Sequence, residues 1–412
     1  MARLIDTLLA PYRGLPRTVW IQAMASLVNR SAGAAKMFMP LYLRESLHVS
    51  VETVGLMLAL YGGGLLVGAN LFGWLSDRVA PRRVMLVAHT CNGLSVLAFA
   101  VPMAAPALAS LMALSGVFEG GARPVNLRLL LESCPPEMRP RAHGLHRVTV
   151  NLGWALGGLT AGVLATHDYR LVFVADGIAS LLAAGVLLAA FRRFPEAAIG
   201  AQTAKQRALE VAAGSPWRDK AYLAQLCAVL SVGIAYDQMY GMFATFLREH
   251  EHVAPQWIGA LHALNGGLIV PLQGVMTLAV QRIGVWRAST LGTIGIAGSW
   301  LILLGFGGLG GAAATVMVLT LGEMLYSPAE ISLVMQLSEG RARGAYLGLY
   351  SATWGGRTLL APAIGAAIYG AAGGQGLWWS CAGFGVLSLC FRYFARHLAS
   401  MRPTRIPVAV GR

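Results

Sequence analysis

The sequence copies itself. Leu43-Arg44-Glu45 followed by His48-Val49 returns 204 residues later as Leu247-Arg248-Glu249 followed by His252-Val253. Gly55, Ala59, Leu60, Gly62 and Gly63 return at the same offset as Gly259, Ala263, Leu264, Gly266 and Gly267. Glu119 with Pro124 returns as Glu323 with Pro328, and Arg139 with Arg141, two positions out of step, as Arg341 with Arg343. Both copies are mostly apolar. Of 412 residues 56% are hydrophobic and only 12% charged, with mean hydropathy +0.60. A soluble protein has about 25% charged residues, so this chain cannot cover a water-facing surface. Two related apolar halves are the usual build of a transporter, because they can rock about a site held between them.

A helix crosses hydrocarbon in about 20 mostly apolar residues. Twelve stretches qualify: 18–43, 52–76, 83–103, 107–131, 143–166, 170–191, 221–247, 256–279, 286–306, 312–335, 343–370 and 376–396. The expected fold is an all-α membrane protein of two pseudo-symmetric six-helix bundles, 1–191 and 221–412, joined by the polar stretch 192–220. The 50 glycines suit helices that pack closely in lipid. Nearly all loop Lys and Arg fall on one side of this topology, and only Arg44, Arg170 and Arg248 on the other. That bias places both termini in the cytoplasm of a multi-pass protein, expected in the bacterial inner membrane. The net charge of +14 sits in these short loops, without a basic-aromatic surface or a nucleic-acid motif, so nucleic acid is not an expected partner. Cys91, Cys134, Cys227, Cys381 and Cys390 form no CxxC pair and read as small buried hydrophobes, with no metal site. The N-terminus has no cleavable signal pattern, because Arg30 and Lys36 interrupt a first apolar run that is already too long.

Between the second and third stretches runs Gly73-Trp74-Leu75-Ser76-Asp77-Arg78-Val79-Ala80-Pro81-Arg82-Arg83. It resembles the GxLxDRxGRR/K signature of the major facilitator superfamily, with Ala80 in place of the usual glycine. The resemblance covers the whole chain and implies the twelve-helix fold of that family. It also implies a conformational latch of Gly73, Asp77, Arg78, Arg82 and Arg83. Gly73 would let a neighbouring helix approach closely, and Asp77 would accept hydrogen bonds from a helix N-terminus or an arginine. The second-half copy, Gln281-Arg282-Ile283-Gly284, lacks the acid.

Two further segments resemble a narrower branch. Asn151-Leu152-Gly153-Trp154-Ala155-Leu156-Gly157-Gly158 with Gly162 looks like the Gly-rich fifth-helix motif of drug/proton antiporters, without its proline. Close helix packing alone also explains those glycines. Gly322-Glu323-Met324-Leu325-Tyr326-Ser327-Pro328 resembles the GE-x-x-x-[ST]-P segment of some proton-driven multidrug exporters. Proton-coupled oligopeptide transporters carry a similar segment and a basic residue before proline in the fourth helix, as Arg123-Pro124 does, but their ExxER pattern is absent from the first helix.

Charge inside a span costs at least about 2.5–3.5 kcal/mol near the bilayer centre and normally faces a cavity or a partner. Arg30, Lys36, Arg123, Arg128 and Arg357 lie at such depth, with Glu119, Asp237, Glu323 and Glu330 as the acids. Glu323, five residues before a proline that loosens its helix, is the first candidate for proton coupling; a permanent salt bridge to Arg357 is the competing role. Asp237 is a second coupling candidate, a site for a cationic substrate group, or a hydrogen-bond partner for a tyrosine. Glu119 is a third candidate, although it can pair with Arg123 at i, i+4 spacing. Arg30 and Lys36 have no acid on their own helix before Glu45. They are expected to draw one from elsewhere, such as Glu119, or to meet an anionic substrate group. Arg128 is expected to snorkel, and Asp176 receives no role. Asn126, Asn151, Tyr236, Tyr240, His262, Asn265 and Trp354 complete the expected substrate cavity; for His262 a hydrogen-bonded core position competes.

The expected activity is proton-coupled efflux of small amphipathic molecules by alternating access, with import of an anionic or zwitterionic solute as the alternative. The expected partners are a small-molecule substrate, protons and the lipid bilayer, and the working unit a monomer. No nucleophile–base set, HExxH, P-loop or other ATP site is visible, so neither an enzyme nor a cofactor is expected.

Overall fold

The computed structural model describes residues 12–32, 35–76, 78–193, 215–339 and 343–401, and every regular element among them is helical. The first half holds α1 (Arg17–Ser31), α2 (Ala35–Leu41), α3 (Val51–Ser76), α4 (Pro81–Ala98), α5 (Ala105–Glu132), α6 (Arg139–Ala165) and α7 (Tyr169–Arg193). The second holds α8 (Lys220–Asp237), α9 (Met242–Glu249), α10 (Pro255–Ile283), α11 (Val285–Ser299), α12 (Ile302–Gly305), α13 (Gly308–Leu337) and α14 (Arg343–Ser400).

The pair α8–α9 is a broken span bent by 45°, and α11 with α12 makes one span, Val285–Gly305; between α1 and α2, residues 33–34 lie outside the described residues. Helix α14 holds the last two spans, because Gly373 at φ +64° interrupts it. The two six-helix bundles expected from the sequence are thus present; most of the polar connection, 194–214, lies outside the described residues. Among the described residues, by length and hydropathy alone, six helices qualify as spans, or seven with the bent pair. Helices α1, α4 and α5 instead carry polar side chains toward the interior, among them Asn29 and Arg30, His89 and Asn92, and Glu119 and Arg123.

Local chemistry sets the boundaries. Pro81, Pro106 and Pro255 occupy first-turn positions, where a missing N–H costs nothing. The Asp219 carboxylate caps α8 by accepting from Tyr222 N–H at 3.2 Å. Asp176 of α7, given no role from sequence, accepts from Ala35 N–H at 3.1 Å and so anchors the restart of the first span as α2.

The halves meet where glycine removes the side chain. Gly158 and Gly162 of α6 cross Gly259 of α10, and a Cβ on Gly158 would lie 2.7 Å from the Gly259 carbonyl oxygen. Gly62 of α3 lies against the Thr358 backbone of α14. Gly73 does not behave as the family signature implied: a Cβ there would meet nothing within 4 Å. The close approaches of α3 lie higher, at Gly64 and Gly68, which press on α5 at Ala113 and Val117.

With an even number of spans, the first described helix starts and the last one ends on the same face, the terminal face. At the opposite face the repeated segments fold alike. His48 and His252 both sit at φ +52°. Arg44 donates to the Val49 carbonyl at 3.0 Å and Arg248 to the Val253 carbonyl at 3.1 Å. The copies then cross-pair: Arg44 reaches Glu249 at 2.5 Å and Arg248 reaches Glu45 at 2.7 Å. Tyr169 and Tyr369 brace the two carboxylates at 2.9 and 3.0 Å. Beneath these pairs one apolar cluster unites both halves, including Phe38, Tyr42 and Phe173 with Phe243, Trp300 and Trp378. Nearer the terminal face each cluster belongs to one half, as with Val84, Val125 and Leu187, or Tyr222, Val334 and Tyr346. The structure is therefore the state closed on the opposite face.

Half-exposed ion pairs are worth about 0.2–1 kcal/mol each, enough to bias two states of similar energy. Arg44→Glu is expected to raise several-fold the maleimide labelling, from the opposite face, of a cysteine placed at Met239, which is 1% exposed within the apolar cluster. Adding Glu249→Arg should return labelling toward the parent rate. Equal labelling in all three proteins would remove these pairs from the closure.

Candidate functional site

Between the halves lies a cavity of 510 Å³, and every residue proposed from sequence for coupling or for the substrate lines it. It runs from Met39 and Phe99, under the closed face, to His143 and His146 in the first turns of α6. His89 and Asp176 line it too, although sequence reasoning passed over both.

In the first half the charges converge on Glu119. Its carboxylate accepts from Arg30 at 3.1 Å and from the Tyr61 hydroxyl, and Arg123, one turn along α5, stands 3.7 Å away. Trp154 of α6 covers the Arg30 guanidinium at 4.8 Å. Two donors and a second guanidinium hold this carboxylate, an arrangement that suits a permanent charge more than a cycling proton.

In the second half Arg357 reaches Asp237 at 3.3 Å and lies over the rings of Trp354 at 3.7 Å and Tyr236 at 5.2 Å. The competing role for Glu323, a bridge to Arg357, is not what forms. The reason is packing: α14 runs along α8, whereas α13 lies against α10. Glu323 instead accepts from the Asn265 amide at 3.3 Å and has no ion-pair partner among the described residues. Asp237 is held by an arginine, not by a tyrosine.

Lys36 is the other exception. Its ammonium lies over Tyr240 at 4.4 Å and Trp154 at 5.6 Å, with no carboxylate in reach among the described residues. The His262 ring stacks on Tyr240 at 5.8 Å and is 2% exposed, yet neither of its nitrogens has a hydrogen-bond partner. The satisfied core histidine weighed from sequence is therefore not what forms. Asn126 donates to Ser26 at 3.2 Å, and Asn151 folds back on the Arg147 carbonyl at 3.0 Å.

Of the expected latch, Asp77 lies outside the described residues. Arg78 rests on its own helix, over Trp74 at 3.9 Å. Arg82 donates to the Phe191 carbonyl at 3.5 Å, and Arg83 is exposed. Arg128 does not simply snorkel: it bonds Glu132 and the Ser76 carbonyl, each at 2.8 Å.

A further cation at depth, Arg392, was not among those singled out from the sequence. It is 2% exposed and pairs at 2.5 Å with Glu330, which is fully buried and also holds Ser289 and Gln225. The signal was available: Glu330 was an acid at depth still lacking a cation.

The family model described as Major Facilitator Superfamily matches residues 19–336, and the chain belongs to that family. The protein is thus a multi-pass secondary transporter. The uncharacterized MFS-type transporter YttB of Bacillus subtilis (strain 168) is 26% identical over 366 residues, covering 85% of this chain and 88% of that one. The 3-(3-hydroxy-phenyl)propionate transporter of Escherichia coli (strain K12) is 31% identical over 136 residues, 33% of each chain. A crystal structure of a POT family transporter in complex with 5-aminolevulinic acid superposes with TM-score 0.79 at 13% identity, covering 94% of this chain and 98% of that one, and so shares the fold.

Removing one member of a buried ion pair strands the other and costs about 3–5 kcal/mol, whereas an apolar pair of similar volume is often neutral. Arg392→Met is expected to lower the thermal transition of the purified protein sharply, and Arg392→Met with Glu330→Leu to recover most of it. An unchanged transition in the single variant would contradict this structural role.

Proposed function

We propose that the chain is a proton-coupled transporter that exports small amphipathic molecules by alternating access, working as a monomer with both termini in the cytoplasm of a bacterial inner membrane. The observation that carries the reading is Glu323. It is a carboxyl in the central cavity, held by an amide and without an ion-pair partner among the described residues. Such a group can bind and release a proton without breaking an ion pair, so its charge state can bias which face is open. Glu119 and Asp237, already neutralised by arginines, fit better as fixed elements of the cavity. Export is favoured by the resemblance of Gly322 to Pro328 to the segment of proton-driven exporters.

A second reading, import of an anionic solute, draws on Lys36, which has no acid partner among the described residues, and on the aromatic acid named for the partial relative of Escherichia coli. Direction separates the two, since an exporter lowers the cellular content of its compound and an importer raises it.

Glu323→Gln is expected to reduce pH-gradient-driven substrate movement in everted vesicles to background while leaving substrate binding in place. Movement at the parent rate would overturn the assignment of the coupling proton to Glu323.

A further inference from the structure

We infer that Lys36, with Trp154, Tyr240 and His262, forms a subsite for a small organic anion with a flat apolar body, such as an aryl carboxylate. This rests on the reading of the cavity as the transport route, and it holds for either direction of transport.

The charges of the cavity single out Lys36. Arg30 and Arg123 share Glu119 and Arg357 takes Asp237, all within 4 Å. Only the Lys36 ammonium faces the cavity over aromatic rings with no carboxylate within ion-pair distance, among the described residues. A ring face attracts a cation without neutralising it, so the ammonium keeps its attraction for an incoming anion. A cationic substrate meets the reverse: Lys36 repels it, Glu119 and Asp237 are already occupied, and the remaining acid, Glu323, is the one assigned to the coupling proton.

The rings set the shape. Trp154 and Tyr240 stand with centroids 6.5 Å apart, tilted by 47°, and Lys36 lies over both. His262 stacks on Tyr240 at an interplanar angle of 19°. A flat ring suits such a wall, since offset aromatic contacts favour it over a flexible chain. His262 adds the independent sign of a ligand. A neutral imidazole offers one donor and one acceptor, and here both ring nitrogens are buried beside the cavity without partners. A hydroxyl on the substrate body can pair with either nitrogen, and a carbonyl with the protonated one.

The test is scintillation-proximity binding of radiolabelled 3-phenylpropionate to the purified full chain, competed by the same acid, by 3-phenylpropanamide and by 2-phenylethylamine. The acid is expected to bind saturably and to compete at least about tenfold better than the neutral amide or the amine. Lys36→Met should weaken it by at least about tenfold, and Lys36→Arg, which keeps the charge, by no more than about threefold. Competition by the amide or the amine equal to that by the acid would overturn the proposal. So would undiminished binding to Lys36→Met, or the absence of saturable binding. Should Lys36→Met lose its thermal transition, the acid–amide comparison on the parent protein decides alone. Binding is read without a gradient, so failure here leaves the proton-coupled reading intact, and loss of coupling in Glu323→Gln leaves this one intact.

Discussion

A charge in hydrocarbon must find a partner or water, and that constraint organises this molecule. The cations and acids at membrane depth would be prohibitive on the lipid face of a single bundle. Two bundles set edge to edge give them a shared interior instead. Arg30 and Arg123 meet Glu119 on one side, and Arg357 meets Asp237 on the other. Glu330 and Arg392, wholly inside one bundle, form a closed structural cluster. Glu323 and Lys36 stay without ion partners among the described residues, and both face the cavity.

The second organising fact is duplication. Arg44 with Glu249 and Arg248 with Glu45 are one motif read twice and exchanged between the halves, over the same positive-φ histidine turn. Such a pair of contacts forms or breaks as a unit, because one relative rotation of the halves moves both. The apolar cluster below it likewise unites the halves on that face only. Glycines at α3–α14 and α6–α10 leave these interfaces smooth, so the bundles can pivot there without large side chains having to clear one another.

Much of this was legible in the chain. Apolar length and Lys/Arg placement gave twelve spans, and charges at membrane depth marked the residues that meet in the cavity. What sequence could not supply was pairing across helices. Arg357 follows Glu323 by one span in the chain, yet α14 packs along α8, so its acid is Asp237. Arg392 was passed over because it lies near the end of the last span, and the fold sets it against Glu330, the acid at depth that had no cation assigned. Gly73 was read from a family signature, and the close approaches fall instead at Gly68 and Gly64, about one and a half and two and a half turns earlier on α3. The exchange of Arg44 and Arg248 between copies was also hidden, because a repeat announces similarity and not contact.

The central claim is that the two halves rock about one shared cavity, closing one face as the other opens. Paired spin-label distances test it most directly, with one pair at Ser50 and Gln256 on the opposite face and another at Val79 and Gln281 on the terminal face, all exposed. On acidification the first distance is expected to lengthen while the second shortens, as two exchanging populations. Both distances holding still, or both moving the same way, would contradict it.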